Sequence, residues 1–95
     1  MSAYLISQIE IHDPQGYEAY RKLVSPSLAK YGGKFIARGG RIDVLEGNWS
    51  PKRVVICEFE SVERAREWYD SAEYKPAMDI RQKTASAQII VVDGL

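Results

Sequence analysis

Residues Ala3–Ile11 (AYLISQIEI) alternate in character and are rich in Ile, Leu and Tyr, which predicts a first β-strand. His12-Asp13-Pro14 ends it, because the Asp13 carboxylate can cap a helix and Pro14 suits the first helical position, where no amide donor is needed. Tyr17, Tyr20, Val24, Leu28 and Tyr31 then recur at helical spacing, forming one apolar stripe that closes at Gly32-Gly33. Ser25-Pro26 removes a helical hydrogen bond midway and predicts a kink or a restart. Lys34–Arg38 and Arg41–Leu45 read as one strand bent at Gly39-Gly40, and Gly47-Asn48-Trp49-Ser50-Pro51 as the loop leading to a hairpin partner, Arg53–Phe59 (RVVICEF). Ser61 caps a second helix with Val62, Ala65, Trp68 and Tyr69 on its apolar side. After an interruption at Asp70-Ser71 a further helical stretch runs to about Ala85, and Gln88–Val92 (QIIVV) is the closing strand.

The order β-α-β-β-α-β, with no repeat or linker, predicts one α+β domain over residues 1–95: a ferredoxin-like four-stranded antiparallel sheet with its helices on one face. Alternation sends Val55, Cys57 and Phe59, with Leu5, Ile9 and Ile11, toward the helices. Tyr4, Ile6, Gln8 and Glu10 take the other face together with Val54, Ile56 and Glu58. If Leu45 faces Arg53 across the hairpin, Ile42 and Val44 join them. The closing strand, apolar on both sides, adds at least two more, so the helix-free face carries about seven aliphatic side chains, each worth ~1.5–3 kcal/mol when buried. A second copy packed sheet against sheet is the simplest cover, so the chain is expected to be a homodimer.

Lysines and arginines number 13 against 13 acidic residues, so no net field attracts a polyanion or an anionic membrane surface. Neither nucleic acid nor membrane is an expected partner. The single cysteine, Cys57, cannot form an internal disulfide, and Met-Ser-Ala leads straight into a strand pattern, which together point to a reducing cytoplasm.

With that hairpin register Arg38 lies near Glu58, and central strands running parallel would bring Glu10 and His12 to the same end. Such a cluster could hold a compact organic acid or carbonyl compound on Arg38, with Glu58, Glu10 or His12 moving a proton. Tyr4 and Trp49 are candidate ligand contacts beside it. The alternative is a non-catalytic dimeric module, in which an Arg–Glu pair neutralises charge at the dimer seam and His12 is exposed at a strand end. His12 has no second histidine to share a metal and the carboxylates fit no metal-binding spacing, so neither a metal nor another cofactor is expected. Gly32-Gly33-Lys34 lacks the remaining elements of a phosphate-binding loop. Cys57, on the apolar face of a strand, reads as core packing rather than as a nucleophile.

Tyr31-Gly-Gly-Lys-Phe, Arg38-Gly-Gly, Leu45-Glu-Gly-Asn-Trp, Val55-Ile-Cys-Glu-Phe and Trp68-Tyr-Asp-Ser-Ala-Glu-Tyr occur in this order over nearly the whole chain. In these segments the sequence resembles the domain-of-unknown-function 1330 family of the dimeric α+β barrel superfamily. The resemblance implies sheet-to-sheet dimers and lends no activity. Other branches of that superfamily include cofactor-independent monooxygenases, haem-degrading enzymes, muconolactone isomerases and stress-response barrel proteins, so a monooxygenase-like or isomerase-like enzyme is a further reading by analogy.

Overall fold

The computed structural model describes residues 2–95. Four strands, β1 (Ala3–Ile11), β2 (Lys34–Arg38), β3 (Val54–Phe59) and β4 (Ala85–Asp93), form one sheet in the order β2-β3-β1-β4. All three strand pairs are antiparallel. Helices α1 (Pro14–Lys30), α2 (Val62–Tyr69) and α3 (Lys75–Thr84) complete the ferredoxin-like α+β architecture expected from the alternation.

The Asp13 carboxylate accepts from the Gly16 amide at 3.1 Å and fixes the start of α1, with Pro14 at its first turn. No restart occurs at Pro26, because α1 continues unbroken to Lys30. Pro26 is exposed while Val24, Ser27 and Leu28 are buried, so tertiary packing on the inner side outweighs the one lost backbone bond. The Ser61 hydroxyl caps α2 by accepting from the Arg64 amide at 3.0 Å. At the heart of the core the Trp68 and Tyr74 rings lie 4.0 Å apart and those of Phe59 and Trp68 5.7 Å apart. The Trp68 indole donates to the Ser27 hydroxyl at 3.1 Å, so this aromatic cluster carries no orphaned ring N–H.

Two expectations about the sheet are corrected. Arg41–Leu45 is not a strand: β2 stops at Arg38, and residues 39–53 form a long loop. Gly39, at φ +71°, turns the chain out of the extended region, so the strand cannot run on. The hairpin register therefore sets Lys34 opposite Glu58 and Arg38 opposite Val55, with an irregularity between Phe35 and Ala37. The central strands β1 and β3 are antiparallel, with Tyr4 opposite Glu58 and Gln8 opposite Val54. The crossover through α1 returns β2 in the direction of β1 and the hairpin then reverses the chain, so β3 runs against β1.

On the helix-free face Ile6 sits between Ile56 and Ile90, Tyr4 between Glu58 and Val92, and Gln8 between Val54 and Gln88. Ile90 and Val92 remain 61% and 46% exposed there. The long loop leans onto this face, where the Trp49 indole donates to the Gln8 side-chain oxygen at 2.6 Å. Among the described residues no helix is long and apolar enough to cross a membrane.

Candidate functional site: an arginine-lined cavity between sheet and helices

The cavity lies between the inner face of the sheet and the helices, and four guanidiniums reach it from four different positions in the fold. Arg38 comes from the last position of β2, where the irregularity after Phe35 brings it opposite Val55, a residue of the helix side. Its guanidinium lies over the Phe35 ring, 4.2 Å from the centroid. Arg53 stands just before β3 and is pinned there by its carbonyl, which accepts from the Ile9 amide at 2.9 Å. A side chain at position 39 would collide with the Arg53 guanidinium, so Gly39 both ends β2 and leaves room for this arginine. Arg21, from α1, lies 5.5 Å from the Tyr17 ring centroid and donates outward to Glu18 at 3.0 Å. Arg81, from α3, is only 5% exposed, and its Nε donates to the Tyr74 hydroxyl at 3.3 Å.

Tyr17, Tyr20 and Tyr74 supply the phenolic part of the wall, and the Tyr20 and Tyr74 hydroxyls are 3.1 Å apart. Burial pushes the Tyr20 phenol far above its ordinary value, with the neighbouring Tyr74 adding to the effect. Tyr17 is raised by burial against the opposing pull of Arg53 and Arg21. Both therefore stay protonated and act as donors at neutral pH. Burial likewise pushes the Cys57 thiol up to about 11, although the Arg38 charge works the other way. Cys57 should accordingly resist iodoacetamide at pH 8 in the folded protein and react promptly after denaturation, which mass spectrometry of the two samples would check. Rapid labelling of the folded form would show that the cavity is more open and polar than these contacts imply.

No carboxylate belongs to the residues lining this cavity, and the Nε atoms of Arg21 and Arg53 are buried without a hydrogen-bond partner among the described residues. Arg81 is buried with no facing acid, which is rare because a buried charge is costly unless paired, whereas Arg21 and Arg53 are half-buried and Arg38 is exposed. The wall thus holds more donors than acceptors, with the Nε groups of Arg21 and Arg53 left over. Its free volume is about 30 Å³, the scale of one or two water molecules, so what fits is compact.

The structure divides the cluster expected from the sequence. Arg38 is on the cavity side near the Arg53 end of the hairpin, whereas Glu58 lies at the opposite end on the helix-free face. There Glu58 faces Lys34 at 3.3 Å and accepts from the Tyr4 hydroxyl at 3.4 Å, and its carboxyl is lowered by hydrogen bonds from Ser2 and Lys34. Glu10 and His12 are at the Arg38 end of the sheet. Glu10 belongs to the helix-free face, while the exposed His12 ring nitrogen meets the Ser86 hydroxyl at 2.7 Å. Trp49 is with Gln8 on that face too. The antiparallel pairing of β1 and β3 and the shifted hairpin register cause this separation.

Sequence reasoning passed over Arg21, Arg53, Arg81, Tyr17, Tyr20 and Tyr74 as site residues. One signal was present: Tyr74, Ala77, Arg81 and Thr84 recur at helical spacing and are all buried, so an arginine occupies the inner stripe of α3. The contributions of Arg21 and Arg53 depend on tertiary placement and leave no such periodic trace.

An antiparallel ferredoxin-like sheet with a donor-lined cavity beneath its helices defines the class of the molecule. The chain belongs to the family described as Domain of unknown function (DUF1330), which matches residues 2–95. No curated protein matches it. Among solved structures it is similar to a protein of unknown function from Rhodopseudomonas palustris, at 22% identity and TM-score 0.78, covering 99% of this chain and 82% of that one. It is also similar to SnoaB, a cofactor-independent oxygenase from Streptomyces nogalater, at 12% identity and TM-score 0.71, covering 99% and 93%. A third likeness, at 13% identity and TM-score 0.58 and covering 98% and 96%, is to a dimeric ferredoxin-like protein of unknown function from Bacteroides fragilis. At these identities the likenesses establish a shared fold.

Proposed function

We propose that the protein is a homodimer that binds a compact organic acid, as its anion, in the cavity between sheet and helices of each subunit. The observation that carries the binding site is the set of four arginines lining one cavity without a lining carboxylate. A bound carboxylate would give the Nε groups of Arg21 and Arg53 the acceptor they lack, and Arg38, exposed on the edge strand, is the wall most able to swing and admit it. Charge-assisted bonds from guanidinium are among the stronger ones available to a protein.

The same wall bears on turnover. Its arginines, the raised phenols of Tyr17 and Tyr20 and the raised Cys57 thiol suit it to holding negative charge, including that of an enolate, and not to taking a proton near neutrality. This supports binding over the proton-transfer roles considered for Glu58, Glu10 and His12.

A thermal-shift screen of small carboxylates and carbonyl compounds tests the proposal. A ligand at 100 times its dissociation constant adds ~2.7 kcal/mol, which in a domain of this size is a rise of roughly 11–22 °C in Tm. Arg53→Gln should abolish the response. A screen in which neutral carbonyl compounds shift the melt and carboxylates do not would overturn the anion site.

A further inference from the structure

Resting on the anion-binding proposal, the arrangement of Arg81, Tyr74 and Tyr20 narrows the ligand class. Arg81 Nε can only donate, and it donates to the Tyr74 oxygen at 3.3 Å. The Tyr74 and Tyr20 hydroxyls, 3.1 Å apart, share one further bond whose direction is open. If Tyr74 donates to Tyr20, the Tyr20 proton is left over. If Tyr20 donates to Tyr74, the Tyr74 proton is left over. Three donors share two links in either case, so one phenolic proton in this buried chain has no acceptor within it. Both phenols line the cavity, at 9% and 1% exposure, and Tyr20 connects the chain to the arginine wall through Tyr17, whose ring centroid is 5.1 Å away.

The cavity therefore presents two kinds of donor side by side: charged guanidiniums, and a neutral phenol held in place by a buried arginine. We propose that the ligand is a 2-hydroxy- or 2-oxo-carboxylate, its carboxylate on Arg21 and Arg53 and its adjacent oxygen accepting from the Tyr20–Tyr74 pair. The two acceptor groups of such an acid are on adjacent carbons, so it spans guanidiniums and phenols with few atoms, and the free volume of about 30 Å³ means that the exposed Arg38 swings outward to admit it. A plain carboxylate would satisfy the arginines and leave the phenolic proton orphaned. The larger wall of phenols also explains why α1 spends two positions of its inner stripe, Tyr17 and Tyr20, on polar-tipped aromatics where Leu would pack.

The test is the affinity of the full-length protein for lactate and pyruvate set against propionate, three probes of nearly equal size, measured by calorimetry. Lactate or pyruvate should bind about tenfold more tightly than propionate, the usual scale for one buried hydrogen bond. In Tyr20→Phe, and again in Tyr20→Phe/Tyr74→Phe, that ratio should collapse toward one. Should the substitutions impair folding, the wild-type ratio decides alone. Equal wild-type affinities for the three acids would overturn the α-oxygen inference while leaving the anion site standing, as would a ratio that survives the double substitution. Absence of binding by all three, with Arg53→Gln melting as the wild type does in their presence, would overturn both.

Discussion

Ile90→Lys should turn the protein from a dimer into a monomer at micromolar concentration while leaving the subunit folded. Ile90 is 61% exposed in the isolated subunit, so a lysine there meets solvent and disturbs nothing in the core. Its neighbours across β1, Ile6 and then Ile56, make a row of three isoleucines along the helix-free face, with Val54 and Val92 in the flanking rows. Covering such side chains is worth ~1.5–3 kcal/mol each, and a lysine in the same seam forfeits that gain and adds the cost of desolvating an unpaired charge. A loss of even ~4 kcal/mol raises a dimer dissociation constant by about a thousandfold. Sedimentation velocity of wild type and variant, with far-UV circular dichroism as the folding control, decides the matter. A wild-type monomer, or a variant that stays dimeric, would sink the sheet-to-sheet assembly.

That face was legible in the sequence because alternation is a local signal: Tyr4, Ile6, Gln8 and Glu10 fall on one side of β1 whatever strand lies beside it. The helices were legible for the same reason, down to the caps at Asp13 and Ser61. The register of the hairpin was not, because Ile42, Val44 and Leu45 carry the composition of a strand and yet stand 37%, 51% and 95% exposed in a loop. Composition there lost to one backbone conformation, the positive φ of Gly39. Register then decided the site. With Arg38 opposite Glu58 a charged pair would have sat on the helix-free face, whereas with Arg38 opposite Val55 the guanidinium joins three others under the sheet. Arg81 alone of the four announced itself locally, as a charged residue on a buried helical stripe.

Arg81 also yields the prediction with the largest opposed effects. Arg81→Met should raise the melting temperature of the unliganded protein and remove its response to an acid ligand. The guanidinium is 5% exposed, and the partner the structure gives it is a neutral phenol, Tyr74. Burial works against its charge, but Tyr74, with Tyr20 and Tyr69 behind it, outweighs that pull and raises the Arg81 pKa, so the cation persists; taking it out of water is still a cost that folding must cover. Methionine fills nearly the same volume without a charge, and exchanging buried ionic groups for well-packed apolar ones is commonly neutral or stabilising by about 1–4 kcal/mol. Even ~1 kcal/mol corresponds to roughly 4–8 °C in a domain of this length. Tyr74 can still donate to Tyr20 after the change, so no phenol becomes an orphaned acceptor. What is lost is the charge that orders the phenolic pair and adds to the positive field of the cavity, and with it the ligand-induced shift. Melts of wild type and Arg81→Met, each with and without a saturating acid, give all four values. A variant less stable than wild type would mean that Arg81 is anchored structurally through its contacts with α1 and the aromatic cluster, and a variant that keeps the full ligand shift would place the anion elsewhere in the molecule.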